Sequence, residues 1–289
     1  MSVKGRFVHG WRLTKASWQV MREDKELIAL PVMSAVTSLI FLALFLAVPV
    51  VQIGTSQVMD FKVILSYIAL FLTYLGLAFI TIFFQSALIL FANERMTGGN
   101  PTLKSALRDA WKNARHILPW AIITATVSIV LNLISARAGF IGKLVVALVG
   151  VAWTIVTLLV LPILVIEGVG VKEAFTRSGA ALKRTWGEEL TGLGGIGIIQ
   201  FLAMFAGILL FGGMIYIGIS TEVYLVAQFG FIMMAIWLLV VGLFCSALSG
   251  VFRTALYRYA MFGETSAGFS QDLLEHAFKQ KKPGTSSAI

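Results

Sequence analysis

Six stretches of this chain run twenty or more residues without one Asp, Glu, Lys or Arg: Leu27 to Met59, Val63 to Asn93, Ile117 to Ala136, Leu144 to Ile166, Leu190 to Thr221 and Val223 to Phe252. That pattern sets the solvent before anything else is decided. A helix rises about 1.5 Å per residue and a bilayer's hydrocarbon core is roughly 30 Å thick, so about 20 apolar residues cross it. Each stretch is long enough. The fold class that follows is an all-α integral membrane protein, its six transmembrane helices arranged as three hairpins.

A soluble domain carries about a quarter charged residues, whereas this chain has 13% charged and 58% hydrophobic residues. The apolar excess sits in the six stretches, so residues 1–262 read as one membrane domain and residues 263–289 as a separable tail. The net charge of +9 is positional. Of the 23 Lys and Arg, 20 fall in Met1–Lys25, Arg95–Arg115, Lys172–Arg184 and Arg253–Lys282. Lys62, Arg137 and Lys143 occupy the alternate connections. An excess of basic residues marks the cytoplasmic side, so both termini and the two long inner connections are expected there, and no nucleic-acid partner is needed to explain the charge. The first apolar stretch is too long for the core of a cleaved signal peptide and reads as a retained anchor. Cys245 is the single cysteine, so no intrachain disulfide is possible.

The basic connections carry a helical pattern. Lys104, Arg108, Lys112 and Arg115 share one face, with Leu103, Leu107, Ala110 and Ala114 on another, and Pro101 marks the helix start. In the third basic stretch Val171, Phe175, Leu182 and Trp186 form a stripe, with Lys172, Arg177, Lys183 and Arg184 off it. At the amino terminus Phe7, Trp11, Trp18 and Met21 do the same beside Arg6, Arg12, Lys15 and Arg22. Each predicts a basic amphipathic helix lying on the cytosolic face, basic groups toward anionic headgroups and aromatic ones dipping below them. KASW ending at Trp18, RDAW at Trp111 and KRTW at Trp186 recur at spacings of 93 and 75 residues, which suggests three tandem units of one surface helix and one hairpin.

WRLTKASWQVMREDKELIALP near the start, AFTRSGAALKRTWGEEL in the third basic stretch and the closing ALYRYAMFGE followed by GF resemble a family of bacterial inner-membrane proteins known only as a domain of unknown function. The resemblance covers essentially the whole chain. It implies a multi-pass protein of the bacterial inner membrane with six helices, and it carries no activity and no functional residues.

Catalytic groups are scarce. His9, His116 and His276 stand apart, with no second ligand at helical spacing inside an apolar stretch, so no metal or other cofactor is expected and no enzyme activity is read. The glycines from Gly192 to Gly197 lack the Lys of a phosphate loop. Small residues at four-residue spacing, Gly242, Ser246 and Gly250 with Ala203 and Gly207, are candidate helix-packing stripes, within the chain or between copies. Glu94, Glu167, Arg253 and Arg258 fall at the cytosolic ends of their spans, either as a charged vestibule or as interface anchors. The tail from Thr265 to Phe278 reads as a turn and a short helix capped by Ser270.

Two functions stay open on these grounds. One is a non-enzymatic scaffold or accessory subunit held by anionic lipid and by a protein partner or a second copy. The other is a permease or channel for a small solute or lipid.

Overall fold

The computed structural model describes residues 22, 24, 26–45, 61–185 and 193–263. Among them are nine helices and no strand. In chain order these are α1 (Glu26–Phe45), α2 (Phe61–Met96), α3 (Leu103–Lys112), α4 (Ala114–Arg137), α5 (Phe140–Val156), α6 (Val160–Ile166), α7 (Val171–Thr185), α8 (Leu193–Ser220) and α9 (Tyr224–Phe262). Six spans are long and apolar enough to cross a membrane, with α5 and α6 together forming the fourth. Lipid offers no hydrogen-bond partner to a bare backbone, so a helix that closes its own ladder is what such a sequence forms. The chain is a multi-pass, all-α membrane protein. The first predicted span is described as far as Phe45; its remainder, the amino-terminal helix with Trp11 and Trp18, Trp186, and the tail beyond Gly263 lie outside the described residues.

The chain divides into two compact units, Ala29–Ala180 and the remainder. In the first, α2 is the central element and packs against α3, α4 and α6. Its 36 residues are roughly 54 Å long, well beyond the hydrocarbon thickness. Burial along it is uneven. From Phe61 to Thr81 few side chains are buried, as on a lipid-facing surface, whereas Ala87, Leu88, Ile89, Phe91 and Ala92 are almost wholly buried. The opposite end meets α1, where the Phe41 ring fills the space a Cβ at Gly76 would take; the Thr73 hydroxyl donates to Ala69 O of its own helix at 2.7 Å and lies 3.5 Å from Phe45 O.

The fourth span is broken. Pro162 has no N–H for the carbonyl of Leu158, and at Thr157–Leu159 the α-helical ladder gives way to turns, with Leu158 N–H bonding Ile155 O and Val160 N–H bonding Thr157 O. Pro162 sits in the first turn of α6, where a missing donor is tolerated.

The second unit is built on the α8–α9 hairpin. Its turn is three residues long, with Glu222 in the left-handed region at φ 60°. Beyond Cys245, α9 becomes buried on most sides, including Leu248, Val251, Phe252, Ala255, Leu256, Tyr257 and Ala260.

Candidate functional site

The two basic connections form helices, as expected, and packing decides how they stand. After α2 the chain turns through Gly98, in the left-handed region at φ 85°, and Gly99, whose N–H bonds Glu94 O at 2.9 Å. Thr102 then caps α3 reciprocally with Ser105: the Ser105 N–H donates to Thr102 Oγ1 at 3.1 Å and the Thr102 N–H to Ser105 Oγ at 3.0 Å. α3 runs back along α2, so that Trp111 meets the edge of Phe83 at a ring separation of 6.0 Å. Phe83 lies thirteen residues before Met96, roughly 20 Å along the helix. The expectation of a helix lying flat is therefore corrected for α3: it stands against its own span.

α7 repeats the device. Gly168, at φ 65°, turns the chain, and Ser178 Oγ donates to Val156 O at 2.8 Å while Phe175 rests against Trp153. Val156 lies eleven residues before Glu167, far up the fourth span. Ser178 so places a buried donor beside the broken stretch of that helix. Trp153 also stacks on Trp120 of α4. Asn113 ties the junction of α3 and α4 to the fourth span, its Nδ2 donating to Asp109 O at 3.0 Å and across to Val165 O of α6 at 3.3 Å.

The predicted apolar faces are buried in part: Ala110 and Leu182 face inward, joined by the small residues Ala106, Ala174, Ser178 and Ala181, which the helical-wheel pattern did not single out. On α3 Ala106 and Ala110 are buried while Leu103 and Leu107 are only half-covered, and on α7 the buried side is Ala174, Ser178, Ala181 and Leu182. A helix folded back on its neighbour approaches closely only through short side chains. The signal missed was Ala106, Ala174 and Ser178, at helical spacing beside the predicted faces.

The predicted basic face is present in part. Lys104, Arg108 and Lys112 are exposed on α3, but α3 ends at Asn113, so Arg115, also exposed, belongs to the first turn of α4. The helical-wheel placement of all four on one continuous face is corrected by that break. Lys112 pairs with Asp109 at 2.7 Å, which offsets part of its charge. Trp111 is 67% exposed, at the α3 end nearest the span α4, the place of an interface aromatic. On α7, Lys172 and Lys183 are exposed, and Arg184 is helical. Arg177 is engaged within the protein, ion-paired with both Glu167 and Glu173. Desolvation, the largest single influence, works to lower its pKa, but the charges and hydrogen bonds of Glu173 and Glu167 together raise it, so the guanidinium stays charged.

Of the four residues considered for a charged vestibule, Glu94 is exposed in the last turn of α2 and Glu167 caps α6, paired with Arg177. Arg253 and Arg258 lie half-buried on α9, in the second unit. Of the packing residues, Gly207 is buried against Trp237, whose Nε1–H donates to Ala203 O at 2.9 Å. Gly242 is loosely approached by Met204 at 4.0 Å, and Ser246 and Gly250 are half-buried. Two closer contacts were not anticipated. A Cβ at Gly218 would overlap the backbone of Ala227, and one at Gly230 would press on Met214 and Ile215 at 3.1 Å. Among the described residues, no three His, Cys, Asp or Glu side chains gather as a metal site.

Residues 64–269 match a protein family described as a family of unknown function, DUF6159. No curated protein and no solved structure matches the chain. The match takes in five of the six spans and both fold-back helices, and the chain belongs to the DUF6159 family.

Proposed function

We propose that this protein is a non-enzymatic scaffold or accessory subunit of the bacterial inner membrane, with both termini cytoplasmic, acting through anionic lipid and protein contacts on its cytosolic face. The observation that carries the reading is the pair of fold-back helices. They pack through small residues and hold Lys104, Arg108, Lys112, Lys172 and Lys183 outward on fixed backbone. The end of α3 nearest the spans, with Trp111, Lys112 and the following Arg115, is the part suited to headgroups. Each basic group near an anionic surface contributes on the order of 1 kcal/mol, fading within a Debye length of about 8 Å. Lys104 stands eight residues earlier, roughly 12 Å along an upright helix, so it and Arg108 suit a protein partner better.

Replacing Lys104, Arg108, Lys112 and Arg115 with Gln leaves the apolar spans intact and is expected to reduce the anionic lipid that copurifies, most strongly at low salt. Restoring Lys112 and Arg115 alone recovers most of it. Lipid retention unchanged at every ionic strength removes the lipid part of the proposal. The orientation is tested separately: in a Cys245→Ala background, Lys104→Cys reacts with an impermeant maleimide only after permeabilisation.

A permease for a small solute or lipid is the second reading, favoured by the broken span at Thr157–Leu159. Interrupted helices line substrate paths in many carriers. Proteoliposomes that pass no solute or lipid faster than empty vesicles set it aside.

A further inference from the structure

The break in the fourth span and the docking of α7 meet at one carbonyl. In an unbroken helix Val156 O would accept the N–H of Val160, four residues on. Here the Val160 N–H bonds Thr157 O instead, at 3.1 Å, and Val156 O receives the Ser178 hydroxyl of α7 at 2.8 Å. Pro162 does not force that swap. Its ring and its missing N–H act on Leu158 O, and they leave the bond from Val160 to Val156 free to form. Two donors therefore compete for Val156 O, one from the span itself and one from α7. Within an apolar span no water replaces a lost donor, so one of the two has to serve.

The first part of α7 is lightly held. Among residues 171–180 the buried ones are Ala174 and Ser178, both small, so release uncovers little apolar surface. The other ties are the Phe175 ring against Trp153, with centroids 6.3 Å apart, and the ion pair of the exposed Arg177 with Glu167. An exposed pair of that kind contributes little. Gly168, in the left-handed region, and Gly170, which meets nothing within 4 Å, lie between α6 and α7 where a hinge is needed. Segments with few buried contacts are the ones that open first.

We propose that α7 and the Thr157–Leu159 stretch form a two-state switch. With α7 docked, Ser178 holds Val156 O and the span is broken. With α7 released, Ser178 bonds water, the Val160 N–H returns to Val156 O, and the helix runs on to the kink at Pro162. Because both states need the same acceptor, the coupling is reciprocal: whatever straightens the span loosens α7, and whatever releases α7 straightens the span. The switch does not depend on whether the protein holds a partner or passes a solute.

Amide hydrogen exchange of the full-length protein in detergent micelles, read by mass spectrometry, tests the coupling with two variants. Ser178→Ala takes away the competing donor. It is expected to speed exchange across residues 171–180 about five-fold, the effect of one lost hydrogen bond, while slowing it across residues 157–160. A side chain that merely packs would loosen both stretches or neither. Pro162→Ala acts from the side of the span by restoring an N–H for Leu158 O. It is expected to slow exchange across residues 157–160 and to speed it across residues 171–180, although α7 itself is unaltered. In either variant, any result in which the two stretches fail to move in opposite directions overturns the switch.

Discussion

The four-span unit and the α8–α9 hairpin solve the same problem by different means. Membrane helices gain little from the hydrophobic effect against one another, because lipid tails are as apolar as leucine, so both units need close packing and hydrogen bonds. In the hairpin the closeness comes from glycine. Gly207 admits the Trp237 indole, and Gly218 lies against the Ala227 backbone beside the turn. In the four-span unit Gly76 admits the Phe41 ring, but Gly139 and Gly150 meet nothing within 4 Å. There the helices are tied by side chains reaching distant carbonyls, Asn113 to Val165 O and Ser178 to Val156 O. Both units use glycine and side-chain bonds to distant carbonyls, but the backbone-to-backbone approach at Gly218 belongs to the hairpin, and the four-span unit relies more on polar arms.

The sharpest break of that contrast is Gly218→Val. The obstacle is backbone, which has no rotamer to yield, so the hairpin is expected to lose about 3 kcal/mol or more, while Gly150→Val in the other unit leaves stability nearly unchanged. Denaturation in mixed micelles, followed by tryptophan fluorescence, separates the two. Gly207→Ala comes next. It pushes Trp237 off Ala203 O, and overpacking with a lost hydrogen bond amounts to about 2 kcal/mol, visible as a changed emission in a variant retaining Trp237 as its only tryptophan.

Ser178→Ala and Asn113→Ala each remove one cross-segment bond and are expected to cost about 1 kcal/mol apiece, with faster proteolysis around α7 for the first. Combining them sharpens the comparison: a double variant whose cost exceeds the sum marks the two fold-back helices as one cooperative unit. The smallest effect runs the other way. Glu222→Gly relieves a left-handed conformation in the hairpin turn and is expected to stabilise the protein by up to about 1 kcal/mol, read in the same denaturation experiment.

The sequence was most legible where one force dominated. Absence of charge over the length of a bilayer locates the six spans, and the described helices agree with them closely. The break at Asn113 was less legible, since the wheel that groups Lys104 with Arg115 assumes a continuous helix, and a lone Asn between two helical stretches announces no stop. The partner of Arg177 was hidden too. Glu173 stands four residues before it, one helical turn away, but Glu167 reaches it only because Gly168 turns the chain back. Glycine spacing picked out Gly207 and overlooked Gly218 and Gly230, because what matters is the neighbour opposite, which a single helix does not encode.

The chain by itself determined its solvent, its six crossings and the helical character of its basic connections, because each depends on composition and period within one segment. Tertiary structure alone decided that α3 and α7 stand against their own spans, and that Ala106, Ala174 and Ser178 are buried there while Leu103, Leu107 and Phe175 are not. Those outcomes depend on which surfaces meet, and in lipid that is settled by steric fit and by buried carbonyls seeking donors, quantities set between segments and not within them.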